Sequence, residues 1–315
     1  MPELDPQIKQ LLDGMRAAGN SPLYEMAVDD ARAAILAISG TLDIALEQVA
    51  EVSDVLLEDT FSVRCYSPSK RSQPRPVILH MHGGGFALGD LDSHDRICRH
   101  YCNALDALVV SVDYRRPPEH SFPCAVEDSY RALTWIGDQA EERNIDVNRI
   151  VLTGDSAGGN LAASVSQLAL DRGGPAVCFQ VLVYPALNLS IDADYPSRVE
   201  FGGGEYFLGQ KDIQWIRSMY FDDLKQGNDQ RASPLLNEDL KRLPPTLIIT
   251  AGFDPLRDEG ELYYQRLREA GVNASYRCFD DAIHGFVSFA GVADIGKDAI
   301  ALIIEKTKQF IKGIE

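Results

Sequence analysis

The stretch that most constrains this chain is Gly154-Asp155-Ser156-Ala157-Gly158-Gly159, because of what lies on either side of it. Residues 149–153 (Arg-Ile-Val-Leu-Thr) have the length and apolar content of a short buried strand, and residues 160–170 have helical character. A backbone that passes from strand to helix within so few residues must turn sharply. Such a turn forces strained angles on Ser156 and brings neighbouring chain close, so Gly154 and Gly158 stand where a Cβ would collide. It also lifts the Ser156 hydroxyl above the sheet edge. The helix N-terminus behind it supplies unpaired N–H groups that favour negative charge, the N–H of Ala157 first among them.

A second apolar run, residues 77–81, ends in His82-Gly83-Gly84-Gly85. Three consecutive glycines let peptide N–H groups turn toward one point, and Gly84 and Gly85 are the second and third donors of an expected oxyanion hole. Loss of one such donor costs about 10²–10³-fold in rate. Further strands are predicted near residues 107–112, 150–153, 179–184, 246–251 and 275–279, with an initial extended pair over 55–66 and an exposed turn over 67–76. Helical stretches separate them. This alternation predicts an α/β fold whose mostly parallel sheet is covered on both faces. Ligands bind such sheets at the carboxyl ends of the strands, where both glycine motifs fall.

Composition narrows the partners. At 315 residues and 45% hydrophobic content the chain can bury one large core, and no apolar run approaches the roughly eighteen residues of a membrane span. The net charge of −17 repels nucleic acid and anionic membranes, leaving a neutral small molecule as the easier partner. Cys65, Cys98, Cys102, Cys124, Cys178 and Cys278 show neither zinc-ligand spacing nor disulfide-scaffold density. Cys98 and Cys102 would lie one helical turn apart without further ligands, so no metal is expected. Residues 1–6 are acidic and lack the charged-then-apolar layout of a signal peptide, which predicts a cytoplasmic protein with reduced thiols.

Two segments stand outside the alternation. Residues 1–48 are expected to be helical, Asp5 and Pro6 giving a cap and first turn before Ile8, Leu11, Leu12 and Met15. Residues 188–230 break the strand series with Phe201, Tyr206, Phe207, Trp215, Ile216, Met219, Tyr220 and Phe221.

The two glycine motifs, with Asp113-Tyr114-Arg115 and Pro118-Glu119-His120 between them and Asp254-Pro255-Leu256-Arg257-Asp258 and His284-Gly285-Phe286 after them, resemble the hormone-sensitive-lipase-like branch of the α/β-hydrolases. The likeness spans nearly the whole chain. It departs at Arg116-Pro117, where the family has Leu-Ala or similar, which implies an altered pocket wall while no catalytic atom is lost. The resemblance implies an α/β-hydrolase fold divided into N-terminal cap helices (1–48), a first core part (49–187), a cap insertion (188–230) and a second core part (231–315). An apolar lid suits an acyl chain, since each buried methylene stabilises by about 0.8 kcal/mol.

A serine nucleophile needs a base, and the base an orienting acid. In α/β-hydrolases the order is serine, acid, histidine, and His80, His82, His94, His100 and His120 all precede Ser156, leaving His284 as base. Asp254 follows a strand and matches the family's acid, with Asp258 and Glu259 as rivals at the start of the next helix. His82 is expected to shape the glycine loop and Asp155 to brace the surrounding loops. Both are grouped with Tyr206, Phe207 and Trp215 as residues bounding the substrate.

The implied reaction is two-step acyl transfer without a cofactor, on carboxylic esters of short to medium acyl chains. An amidase, or a deacetylase of a small molecule, could use the same triad. A binding protein of this fold is the other alternative; plant hormone receptors of the fold lose the catalytic histidine, whereas His284 is present. The family also allows a homodimer through an edge strand or the cap.

Overall fold

The computed structural model describes residues 3–19, 21–69 and 73–312, so residues 1, 2 and 20 of the N-terminal segment and 70–72 of the expected turn lie outside the described residues. Eight strands form one sheet among those residues: β1 (Glu51–Leu57), β2 (Phe61–Ser67), β3 (Arg75–Met81), β4 (Leu108–Asp113), β5 (Ile145–Asp155), β6 (Phe179–Val183), β7 (Thr246–Phe253) and β8 (Ala274–Ile283). Their spatial order is β1-β2-β4-β3-β5-β6-β7-β8. β1 and β2 join antiparallel at one edge, and every pairing from β4 to β8 is parallel.

The central strands are apolar on both faces, as a sheet covered twice must be. Val77, Leu79 and Met81 of β3 enter one core while Ile78, the residue pointing the other way, enters the second. Helices α4 (Cys124–Asp138), α5 (Ala157–Arg172) and α8 (Arg257–Glu269) pack on the first face. Helices α1 (Pro6–Ala17), α3 (Asp95–Leu105) and α9 (Asp294–Lys312) pack on the second. α3 shows why a helix forms and docks there: Ile97, Cys98, Tyr101, Cys102 and Leu105 fall on one stripe, and all are buried.

The N-terminal segment begins as its sequence suggests. Asp5 caps α1, its carboxylate accepting from the N–H groups of Gln7 at 2.8 Å and Ile8 at 3.0 Å, with Pro6 in the first turn. The helical expectation for residues 1–48 overshoots, because α2 (Val28–Leu42) ends early. Thr41 turns its hydroxyl back to the Ala37 carbonyl at 2.9 Å, and Asp43 accepts from the next N–H, that of Ile44, at 2.6 Å. Short polar side chains that bond their own backbone compete with helix propagation. Between β6 and β7 the chain forms α6 (Pro196–Glu200) and α7 (Gln210–Tyr220).

Register sets the site. Met81 pairs with Gly154 across β3 and β5, so the loop after Met81 emerges beside the turn after Gly154. Phe253 pairs with Ile283 across β7 and β8, so Asp254 and His284 leave adjacent strands at the same level. β8 runs past residue 279, the end expected from the sequence, and delivers His284 directly from its last residue. No helix among the described residues is long and apolar enough to cross a membrane.

Candidate active site

Ser156 occupies the turn between β5 and α5 with φ 54° and ψ −117°, a conformation disfavoured for a residue with a side chain. The surroundings hold it there. Its N–H donates to the Val183 carbonyl at 2.8 Å, and its own carbonyl accepts from Asn160 at 3.1 Å and Ala186 at 3.2 Å. A Cβ on Gly158 would strike the Met81 carbonyl, so the close passage of β3 beneath the turn requires glycine.

The Ser156 hydroxyl lies 2.9 Å from His284 Nε2, and His284 Nδ1 lies 2.8 Å from Asp254 Oδ2. An ionised carboxylate only accepts, so His284 carries its proton on Nδ1 and offers Nε2 to the serine. Asp254 is completely buried, and its Oδ1 accepts from the Leu256 N–H at 2.8 Å, which fixes the carboxylate. Both rivals are engaged elsewhere. Asp258 accepts from the Ser197 N–H at 2.8 Å, and Glu259 pairs with Arg198 at 2.7 Å and accepts from the Leu187 N–H at 3.0 Å.

The glycine loop lies against the same cavity as Ser156: Gly84, Gly85 and Ala157 line it, with φ 101° at Gly84 and 59° at Gly85. Asp155 ties this loop to the serine turn, its Oδ1 accepting from the Gly83 N–H at 2.9 Å and meeting His94 Nε2 at 3.1 Å. Burial pushes the Asp155 carboxyl up, but the charge and hydrogen bond of His94 outweigh that and hold it at about 2. Burial likewise opposes a charge on His94, and the Asp155 carboxylate reverses the balance, raising the imidazole above its ordinary 6.5. His94 carries no motif of its own; its spacing from the glycine loop gave no signal, and only the fold reveals it as a brace.

His80, His94 and Asp155 place donor atoms within 4.8 Å of one another, a grouping that the cysteine spacing does not signal. His94 and Asp155 are already bonded to each other and to Gly83, the arrangement of a structural brace.

Asp155 and Phe207 line the cavity, and His82, Tyr206 and Trp215 do not. His82 is completely buried beneath the loop, its ring stacked on Tyr114 at 4.1 Å, with the Tyr114 hydroxyl donating to its carbonyl at 2.9 Å. Burial lowers the His82 imidazole well below its usual range, so it is a neutral packing element. Tyr206 turns to Phe253, ring centroids 5.0 Å apart, and Trp215 packs with Ala31, Ala87 and Leu88. The α7 face toward the cavity is instead that of Ile213, Ile216 and Arg217. Arg116, at the departure from the family pattern, donates to the Gly89 carbonyl at 2.6 Å and so secures the loop after the glycine motif.

A family profile described as the alpha/beta hydrolase fold matches residues 78–288. The carboxylic ester hydrolase LipN of Mycobacterium tuberculosis is 41% identical over 298 residues, covering 90% of this chain and 77% of its own length. The chain belongs to the hormone-sensitive-lipase-like carboxylic ester hydrolases of the α/β-hydrolase fold. An arylesterase of Saccharolobus solfataricus is 35% identical, with 90% of this chain and 92% of that protein covered. The solved structure of a hyperthermophilic esterase from Pyrobaculum calidifontis matches with a TM-score of 0.90 at 38% identity, covering 98% of this chain and 99% of that one.

Proposed function

We propose that this chain is a serine carboxylesterase that cleaves short- to medium-chain acyl esters through an acyl-enzyme. The observation that carries the reading is the unbroken relay from Ser156 through His284 to Asp254, at 2.9 and 2.8 Å, on the wall of an apolar cavity. His284 Nε2 takes the hydroxyl proton as Ser156 Oγ attacks the ester carbonyl, and Asp254 stabilises the imidazolium. Negative charge on the carbonyl oxygen develops beside the N–H groups of Gly84, Gly85 and Ala157, with the α5 N-terminus adding a favourable dipole. The imidazolium then protonates the leaving alcohol. Water then attacks the acyl carbonyl with His284 again as base, and the imidazolium returns the proton to Ser156 Oγ as its bond to the acyl group breaks and the carboxylic acid leaves.

The size preference rests on the cavity, whose volume is about 140 Å³. A cavity of roughly 150 Å³ accommodates a benzene ring in another protein, so this space suits a short chain or a single ring better than a long one. Six free cysteines support a reducing, cytoplasmic setting. The test is initial rates on 4-nitrophenyl esters of two-, four-, eight- and sixteen-carbon acids. Turnover is expected to be fastest on the shorter esters and to vanish in Ser156→Ala; equal activity of parent and variant would overturn the assignment.

A further inference from the structure

Arg217 takes no part in the relay, the glycine loop or any ion pair among the described residues. It projects from α7 into the wall of the cavity that holds Ser156, is only 7% exposed, and its Nε and Nη2 find no hydrogen-bond partner among the described residues. A guanidinium is always charged and offers five donors, so burying it without an acceptor is unfavourable unless something else supplies one.

A second arginine on the same wall shows the contrast. Arg198 Nη2 lies 2.7 Å from Glu259 Oε2 and 2.7 Å from the Asn188 carbonyl, and its Nη1 donates to Ala193 at 3.2 Å. Its charge is balanced inside the protein, whereas that of Arg217 is not. Burial, and then repulsion from Arg198, push the Arg217 guanidinium down from its ordinary value, consistent with a cation short of counter-charge. The neighbouring lining is apolar, with Leu189, Ile213, Ile216 and Leu256 among it.

We propose that Arg217 is a specificity-determining residue that binds the carboxylate of an ester substrate bearing one free carboxyl group. The planar fork of the guanidinium matches a carboxylate, and one unpaired cation balances one negative charge rather than the two of a phosphate monoester. The overall charge of −17 gives no long-range attraction to such a substrate, so the preference arises locally, after entry into the cavity. This inference rests on the ester-hydrolysis reading of the same site and names its substrate class.

The experiment compares charged and neutral esters of matched length in the parent, Arg217→Met and Arg217→Lys. One pair carries the carboxylate on the acyl side, mono-4-nitrophenyl glutarate against 4-nitrophenyl pentanoate. The other carries it on the alcohol side, acetoxyacetate against propyl acetate. In at least one pair the charged-to-neutral ratio of kcat/KM should fall about tenfold or more in Arg217→Met, chiefly through KM, and recover in part in Arg217→Lys. A ratio unchanged in both pairs would overturn the proposal.

Folding is controlled by thermal denaturation, where Arg217→Met should match or exceed the parent because it removes an unpaired buried charge. A second measurement is calorimetric binding of mono-4-nitrophenyl glutarate and acetoxyacetate to Ser156→Ala. At least one should bind, and its binding should be lost in Ser156→Ala combined with Arg217→Met. Such Arg217-dependent binding in a protein that turns over no ester would sustain this proposal while defeating the esterase reading. Ester turnover without any carboxylate preference would do the opposite.

Discussion

The cavity has two unlike walls. On the side of the sheet, Ser156, His284, Asp254 and Asp155 at strand ends, and His94 at the start of α3, are each held by hydrogen bonds. On the side formed by α2 and α7, Ile35, Ile38, Ile213 and Ile216 meet the same space through packing alone, and Nε and Nη2 of Arg217 on α7 lack a partner among the described residues. A wall fixed by register and directional bonds has one arrangement, and a wall fixed by apolar packing tolerates exchange of side chains of similar volume. The sheet side should therefore govern rate, and the helical side should govern which ester is accepted.

The largest effect separating the two walls is expected at Asp254. Asp254→Asn preserves shape but removes the acceptor that keeps the proton on His284 Nδ1, and kcat should fall about 10³–10⁴-fold. Steady-state kinetics on a four-carbon ester would show the fall in kcat with little change in KM. A loss below tenfold would mean that Asp254 does not orient the base.

The brace should show itself in stability. His94→Gln should destabilise the fold by about 2 kcal/mol, since it removes one partner of an enclosed ion pair. Its pH signature follows from the two shifts. Asp155 is depressed to about 2, so its contribution is present above the ordinary 3.8 and is lost as pH falls toward 2. His94 is raised, so its contribution is full below 6.5 and is lost as pH rises through its elevated value. Urea unfolding from pH 3 to 9 should find the difference between parent and variant largest between those limits, at about pH 4 to 6.5. A difference independent of pH would remove the charge pairing from the explanation.

The smallest effects belong to the packed wall. Ile216→Ala enlarges the cavity and should move the preferred acyl chain longer, by about two carbons, with kcat on short esters changing only a few-fold. Trp215→Phe, on the opposite face of α7, should leave the chain-length profile in place. A shift of the profile by Trp215→Phe alone would contradict the assignment of faces.

The same division explains what the sequence disclosed. Ser156 was legible because strand, glycines and helix adjoin it in the chain, and His284 because the order of residues left no other histidine downstream. Asp254 was set apart from Asp258 and Glu259 by its place after a strand and by family position, and the register of β7 with β8 puts it level with His284. Tyr206, in the turn between α6 and α7, and Trp215, on α7, do not line the cavity, because an aromatic side chain signals burial without saying against what. Trp215 and Ile216 are adjacent in sequence, yet they face different neighbours. Arg217 gave no signal, since an arginine between aromatic residues reads as a solvated position until its burial is seen. The end of α2 was missed because the competing bonds of Thr41 and Asp43 are short-range polar contacts with no periodic signature.

The central claim, that the relay activates Ser156 as a nucleophile, is tested most directly by covalent trapping. The protein and its His284→Ala variant would be treated with a 4-nitrophenyl phosphonate, and the adduct followed by intact mass and peptide mapping. One adduct on the peptide containing Ser156, forming at least about 10³-fold more slowly in His284→Ala, is the expected result. An adduct elsewhere, or equal labelling rates in the two proteins, would contradict it.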